Sequence, residues 1–169
     1  PKLGRVELLH RIEWNLSQFD GYIGINNHMG SMFTENKTAM MSLFKSLKKS
    51  NLLFLDSRTT ARSSGPLLAH QLDLPFVERD VFLDNAIEAT AVEKQLKVAE
   101  DKALLNGTAI AIGHPHNITV KTIKTWAASL HKKGIKLVPL SEIAKERKSA
   151  LWRLSLDNSS PQGIGAGSP

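Results

Sequence analysis

Two histidines in this 169-residue chain stand beside turn-forming residues: His28, within Asn26-Asn27-His28-Met29-Gly30-Ser31, and His114, within Gly113-His114-Pro115-His116. A neutral imidazole binds divalent metals and exchanges a proton near neutral pH, so each is a candidate ligand or general acid; a hydrogen-bonded loop histidine is the bland reading of either. His114 has the firmer case, because it follows an apolar run directly and Pro115 restrains its backbone. Asp56, opening Asp56-Ser57-Arg58-Thr59-Thr60, can accept a proton, bind a metal or orient a histidine, or it can simply cap the next turn. Arg79 and Asp80 read either as a surface ion pair or as charges that steer a catalytic carboxylate or bind substrate. By composition Asp84 and Asn85 are turn residues, His116 lies outside the immediate site, and His10, His70 and His131 fall on predicted helices without a partner pattern.

Other chemistries lose support. With no cysteine, structural disulfides, iron–sulfur clusters and thiolate zinc sites are excluded, and any metal must be held by His, Asp, Glu or Asn. There is no glycine-rich phosphate loop, no G-x-S-x-G elbow and no H-E-x-x-H pair, which argues against nucleotide-dependent and serine-hydrolase readings.

These residues need elements to position them, and the apolar spacing predicts alternating helices and strands. Leu9, Ile12, Leu16 and Phe19 mark a helix from about Arg5 to Phe19, stopped by Asp20-Gly21. Tyr22 to Asn27 reads as a strand, and Thr34 as the N-cap of a helix whose Met40, Leu43, Phe44 and Leu47 share a face. Leu52 to Asp56 is a buried strand, Pro66 to Leu72 a short helix and Pro75 to Glu78 a third strand. Val92, Leu96, Ala99 and Ala103 line the next helix, with Gly107 placed for a left-handed C-terminal cap. Ala109 to Gly113 is a fourth strand; Val120, Ile123, Ala127 and Leu130 mark a helix closed by Gly134; Ile135 to Pro139 is the last strand. Ser141 and Glu142 open a final short helix. Asn158 to Pro169, rich in Ser, Gly and Pro, is expected to be disordered, so one domain over residues 1–148 carries a flexible tail over 149–169.

Five strands joined by helices imply a parallel sheet, open or closed into a barrel, with reactive groups at the carboxyl ends of the strands. Four of the five predicted strands are followed by His, Asp or Arg, which would gather those residues in one cleft. The chain has a net charge of +6 and a pI of about 9.7. Its lysines fall at helix ends and only 6% of residues are aromatic, so a solvated basic surface is expected and not a nucleic-acid site. The chain opens on Pro1 with no visible targeting segment, and no apolar run approaches the ~20 residues of a membrane helix, so no membrane span is expected.

Taken in order, Asn26-Asn27-His28-Met29-Gly30-Ser31, Asp56-Ser57-Arg58-Thr59-Thr60, Arg79-Asp80-Val81-Phe82-Leu83-Asp84-Asn85 and Ala109-Ile110-Ala111-Ile112-Gly113-His114-Pro115 resemble the divergent polysaccharide deacetylase family of bacterial envelope proteins, over about Arg5 to Ile143. That family is similar to the NodB-type carbohydrate deacetylases. The resemblance implies an α/β fold, a distorted (β/α) barrel whose N-terminal strands are missing from this chain. It also implies removal of N- or O-acetyl groups from an envelope polysaccharide with a divalent metal, often zinc in that family, in the periplasm or outside the cell. His114 then matches the general-acid histidine and His28 a metal ligand or substrate contact. Asp56 and Arg79 support catalysis, and Asn26, Asn27, Ser57, Arg58 and Asp80 line the substrate site. The segment with paired aspartates and the one with a histidine before a proline have no counterpart here, so the base and a further ligand are expected upstream. The alternative on the same fold is a non-catalytic carbohydrate-binding or envelope-assembly protein.

Overall fold

The computed structural model describes residues 3–157, with side chains described through residue 148. Its elements are α1 (Arg5–Leu16), β1 (Gly24–Asn26), α2 (Ser31–Glu35), α3 (Lys37–Lys49), β2 (Leu53–Asp56), α4 (Gly65–Leu72), β3 (Phe76–Glu78), β4 (Val81–Phe82), α5 (Ala89–Asn106), β5 (Ala111–Ile112), α6 (Asn117–Ala127), a 3-10 turn (Leu130–Lys133) and α7 (Leu140–Asp157). All strand pairs are parallel, in a three-stranded sheet β1-β2-β3 and a two-stranded sheet β4-β5. The expected α/β class is present. Among the described residues no ladder joins β5 to β1, so these elements form parallel sheets and not a closed barrel.

The two sheets are stitched through one extended stretch. Arg79 donates its backbone N–H to Asp56 O at 2.9 Å, and the next residue, Asp80, donates to Ile110 O at 2.8 Å. Successive amides of an extended chain point to opposite sides. Residues 76–82 therefore pair with β2 on one side and with β5 on the other, which fixes the relative height of the two loops that carry His28 and His114.

Packing holds this arrangement. Phe44, Met40 and Leu47 of α3, all fully buried, meet Phe54 of β2 and Leu68 of α4, with the Phe44 and Phe54 rings 5.0 Å apart. On the far sheet Val81 and Leu83 pack against Val92, Leu96 and Ala99 of α5. Gly24 admits β1 to the ladder: a Cβ there would lie 2.6 Å from Leu53 O, a distance no side chain tolerates.

Several local expectations need correction. The first helix ends at Leu16, not Phe19, because Ser17 Oγ and Gln18 Nε2 both bond to Trp14 O and terminate it, leaving Phe19 exposed. Thr34 is not an N-cap; it lies inside α2, and Asn36 caps α3 by accepting from Ala39 N at 3.0 Å. Ile135 to Pro139 is not a strand. Among the described residues β5 pairs with β4 alone, and the segment runs as irregular chain along a cavity of about 660 Å3 that it lines together with Ala111. Val81–Phe82, conversely, is a strand that a run of only three apolar residues, Val81-Phe82-Leu83 between Asp80 and Asp84, does not announce. The final helix is longer than expected, running to Asp157 through a stretch free of Gly and Pro; residues 158–169 of the expected tail lie outside the described residues. Gly107 and Gly134 do adopt the left-handed caps expected of them.

One buried carboxylate ties α5 to α6 and the 3-10 turn. Glu100 accepts from Trp126 Nε1 at 2.8 Å and from Lys133 Nζ, with Lys97 Nζ at 3.7 Å. Burial pushes its pKa up, but the Lys133 and Trp126 hydrogen bonds and the two ammonium charges outweigh this and hold it below the usual range. A depressed folded-state pKa gives stability that is present above the unfolded value and is lost as pH falls through the folded one. Glu100→Ala is expected to cost ~3 kcal/mol at neutral pH, because it strands the indole N–H and a partly buried ammonium. Urea titrations at pH 7 and pH 3 check this: the gap between wild type and variant should shrink at the lower pH.

Candidate active site

The site begins with the turn between β5 and α6. Gly113 follows the strand, and a Cβ there would crowd Leu83 Cβ and Thr119 Cγ2, each at 3.2 Å, and Asp84 Oδ2 at 3.4 Å. The glycine thus makes room for the carboxylate of Asp84, which follows β4. That carboxylate is fully buried and collects three donors from one short segment: His114 N at 2.6 Å, His114 Nδ1 at 3.1 Å and Thr119 Oγ1 at 3.2 Å.

The proton arrangement follows from this count. Burial raises the pKa of Asp84, but the backbone and ring hydrogen bonds of His114 and the Thr119 hydroxyl together bring it below its ordinary value, so the group is an anion at neutral pH. An ionised carboxylate only accepts hydrogen bonds. The hydrogen of the neutral His114 ring therefore sits on Nδ1, leaving the Nε2 lone pair to face outward as a base or metal ligand.

Three imidazoles gather around that position. The His28 ring lies edge-on to His114 with centroids 5.7 Å apart, and the His116 ring is tilted against His114 at 5.6 Å. Ligand atoms of Asp84, His114 and His116 all fall within 4.8 Å of one another. Because both Asp84 oxygens are already engaged, we read Asp84 as the orienter of His114, with the imidazole nitrogens as the donors left for a metal. Phe82 packs edge-on against His114 at 5.5 Å, and the Arg79 guanidinium lies over the Phe82 ring at 5.2 Å from its centroid.

His28 is placed by its neighbours. Asn27 Oδ1 accepts from Ser57 N at 2.7 Å, Asn26 Nδ2 donates to Ser57 Oγ at 3.0 Å, and Ser31 Oγ donates to Thr59 O at 3.1 Å. These bonds weld the loop after β1 to the loop after β2. Met29 and Gly30 are both left-handed, with φ of 58° and 73°, and turn the chain sharply into α2. Met29 is a costly residue for that conformation.

The remaining candidates are accounted for by bonds of their own. Asp56, fully buried, accepts from Arg58 N at 2.7 Å and Ser63 Oγ at 2.6 Å, which matches the turn-capping role. Arg79 Nε donates to Ser57 O at 2.8 Å; burial and the Arg58 charge lower its pKa, without neutralising a guanidinium. Arg58 pairs with Glu78 at 2.7 Å. Asp80 does not join the imidazoles: it sits level with the start of β5, where its carboxylate accepts from Ile110 N at 2.7 Å and pairs with Arg147.

Asp84 and His116 carry more than the sequence reading gave them. A strand at Val81–Phe82 would have put Asp84 at a strand end, as Asp56 is, and the His-Pro-His spacing keeps His116 within one tight turn of His114, where His116 N bonds to His114 O at 2.8 Å.

A parallel βα scaffold with a carboxylate-bound histidine at the carboxyl end of its strands defines an α/β protein built on parallel sheets. The chain belongs to the divergent polysaccharide deacetylase family, whose model matches residues 1–144. It is 34% identical over 146 residues to the uncharacterized protein YibQ of Escherichia coli (strain K12), covering 86% of this chain and 46% of that one. An uncharacterized protein of Haemophilus influenzae is 36% identical over 126 residues, covering 75% and 45%. The crystal structure of the uncharacterized protein ATU2773 from Agrobacterium tumefaciens C58 superposes with a TM-score of 0.82 at 24% identity, over 84% of this chain and 58% of that one, which shows the shared fold. The chain spans just under half the length of the curated relatives it matches.

Asp84→Ala is expected to destabilise the chain by ~3 kcal/mol, since it leaves a buried N–H and hydroxyl unpaired. As the Asp84 pKa is depressed, this contribution is present above the unfolded value and vanishes as pH falls through the folded one. Thermal unfolding of wild type and Asp84→Ala at neutral and strongly acidic pH tests both parts.

Proposed function

We propose that this chain supplies part of the active site of a metal-dependent carbohydrate deacetylase acting on an envelope polysaccharide in the periplasm or outside the cell. The observation that carries the reading is the Asp84–His114 pair, 3.1 Å apart, with the His28 ring beside it. Hydrolysis of an acetyl group needs a water that attacks the carbonyl carbon and a proton for the nitrogen or oxygen that leaves. His114, held by Asp84 with one hydrogen on Nδ1, takes a second proton at Nε2 to become the imidazolium, then gives that Nε2 proton to the leaving nitrogen or oxygen as the carbon–nitrogen or carbon–oxygen bond breaks, returning to its neutral tautomer as acetate is released.

His28 and His116 are the residues that would hold a divalent cation. Imidazole donors without thiolates suit zinc, and such an ion would polarise the acetyl carbonyl and acidify a bound water. The carboxylate that takes the water's proton belongs, in this reading, to the part of the longer protein outside this chain. Asn26, Asn27, Ser57 and Arg58 edge the cleft as substrate contacts, and Arg79 steadies the Phe82 face against His114.

A binding protein without turnover is the second reading. It is favoured by one observation: Asp84 and Asp56 are both taken up by protein donors, which leaves neither free to activate water.

Acetate release by the full-length protein, supplied with zinc and given acetylated chito-oligosaccharide or O-acetylated xylan, separates them. His114→Ala should lower the rate by about 100-fold or more, and His28→Ala should weaken zinc binding measured by calorimetry by roughly 10-fold or more. Oligosaccharide binding without acetate release, together with indifference to zinc, would establish the binding protein instead.

A further inference from the structure

A second surface, built from α1 and α3, has a consistent chemistry of its own. The two helices enclose a groove of about 500 Å3 whose rim carries Arg5, Lys37, Lys45 and Lys49. Among the described residues no carboxylate lines it. All four cations are exposed, and none has an ion-pair partner among the described residues. The acids nearest in sequence are committed elsewhere: Glu7 to Arg11 at 2.9 Å and Glu35 to Arg62 at 3.0 Å.

The floor is apolar. Leu9 and Met41 are half-buried and Leu68 is buried beneath them. The hydroxyls of Ser42 and Ser46 turn back onto the helix, bonding to Thr38 O at 3.1 Å and Ser42 O at 3.3 Å, so they do not seek an outside partner. Lys37, Met41, Lys45 and Lys49 recur every fourth residue, which lays the stripe along the whole of α3. At about 1.5 Å per residue this is roughly 18 Å, the length of a helix of about three turns.

We propose that this groove docks an acidic amphipathic helix of a partner protein, its apolar face on Leu9 and Met41 and its carboxylates on the flanking cations. Charge complementarity selects this occupant: four unpaired cations along a concave apolar floor ask for an elongated apolar ridge with acids on both sides. A concave floor between two helices suits a helix better than a bilayer, which meets a protruding apolar face.

The test is fluorescence anisotropy with the whole 169-residue chain and a labelled 14-residue peptide carrying Leu at positions spaced three and four apart and Glu elsewhere. Its controls are a scrambled peptide of the same composition and phosphatidylglycerol vesicles. Saturable binding of the patterned peptide, weakened roughly tenfold or more by the triple variant Lys37→Glu, Lys45→Glu, Lys49→Glu and by raised salt, supports the proposal. Lys45→Glu alone should give a smaller loss in the same direction, and circular dichroism confirms that both variants keep the wild-type fold. No binding of the patterned peptide, equal binding of the scrambled one, indifference to charge reversal, or binding of the vesicles alone would each overturn it.

Discussion

A carboxylate buried at the end of β4 can stay ionised only if donors surround it, and the donors of Asp84 come from the β5–α6 turn. One side chain thereby fixes three things together: the height of β4 against β5, the start of α6 through Thr119, and the tautomer of His114. Gly113 is required for the same reason, since the carboxylate occupies the space a side chain would take. The strain of burying a charge is offset locally, and its consequence faces outward as an imidazole nitrogen with a free lone pair.

The other half of the cleft is held by amides and hydroxyls. Asn26, Asn27 and Ser31 bind the loop after β2, and that loop is anchored in turn by buried Asp56, by Ser63 and by Arg79. His28 is thus presented from a welded pair of loops and not from a free one. The continuous stretch from Phe76 to Phe82 sets the two halves at matching heights, so that two rings 86 residues apart in sequence (114 − 28) lie 5.7 Å apart in space. Much of the polar chemistry at the strand ends is therefore scaffolding, and the exposed reactive groups are the imidazoles.

Much of the scaffold was legible because it is local. Leu52 to Asp56 and Pro75 to Glu78 are short apolar runs bounded by turn residues, and Gly107 and Gly134 stand where a left-handed residue must end a helix. The juxtaposition of His28 and His114 followed from the rule that parallel strands gather their ends. What escaped was tertiary. Asp84 resembles a turn residue until its partner, 30 residues away, is known, and a run of three apolar residues does not declare a strand. Ile135 to Pro139 has the composition of a strand, but pairing depends on a neighbour at ladder distance. Asp80 is held away from the imidazoles by Ile110 N and Arg147, partners 30 and 67 residues distant that no single segment encodes.

The central claim is that Asp84 holds His114 with its hydrogen on Nδ1 and its lone pair on Nε2. Long-range proton–nitrogen correlation NMR on ring-labelled histidine reads that tautomer directly at a pH where the ring is neutral. The account predicts a protonated Nδ1 and an unprotonated Nε2 for His114, and loss of this preference in Asp84→Asn; a His114 ring carrying its hydrogen on Nε2 in the wild type would contradict it.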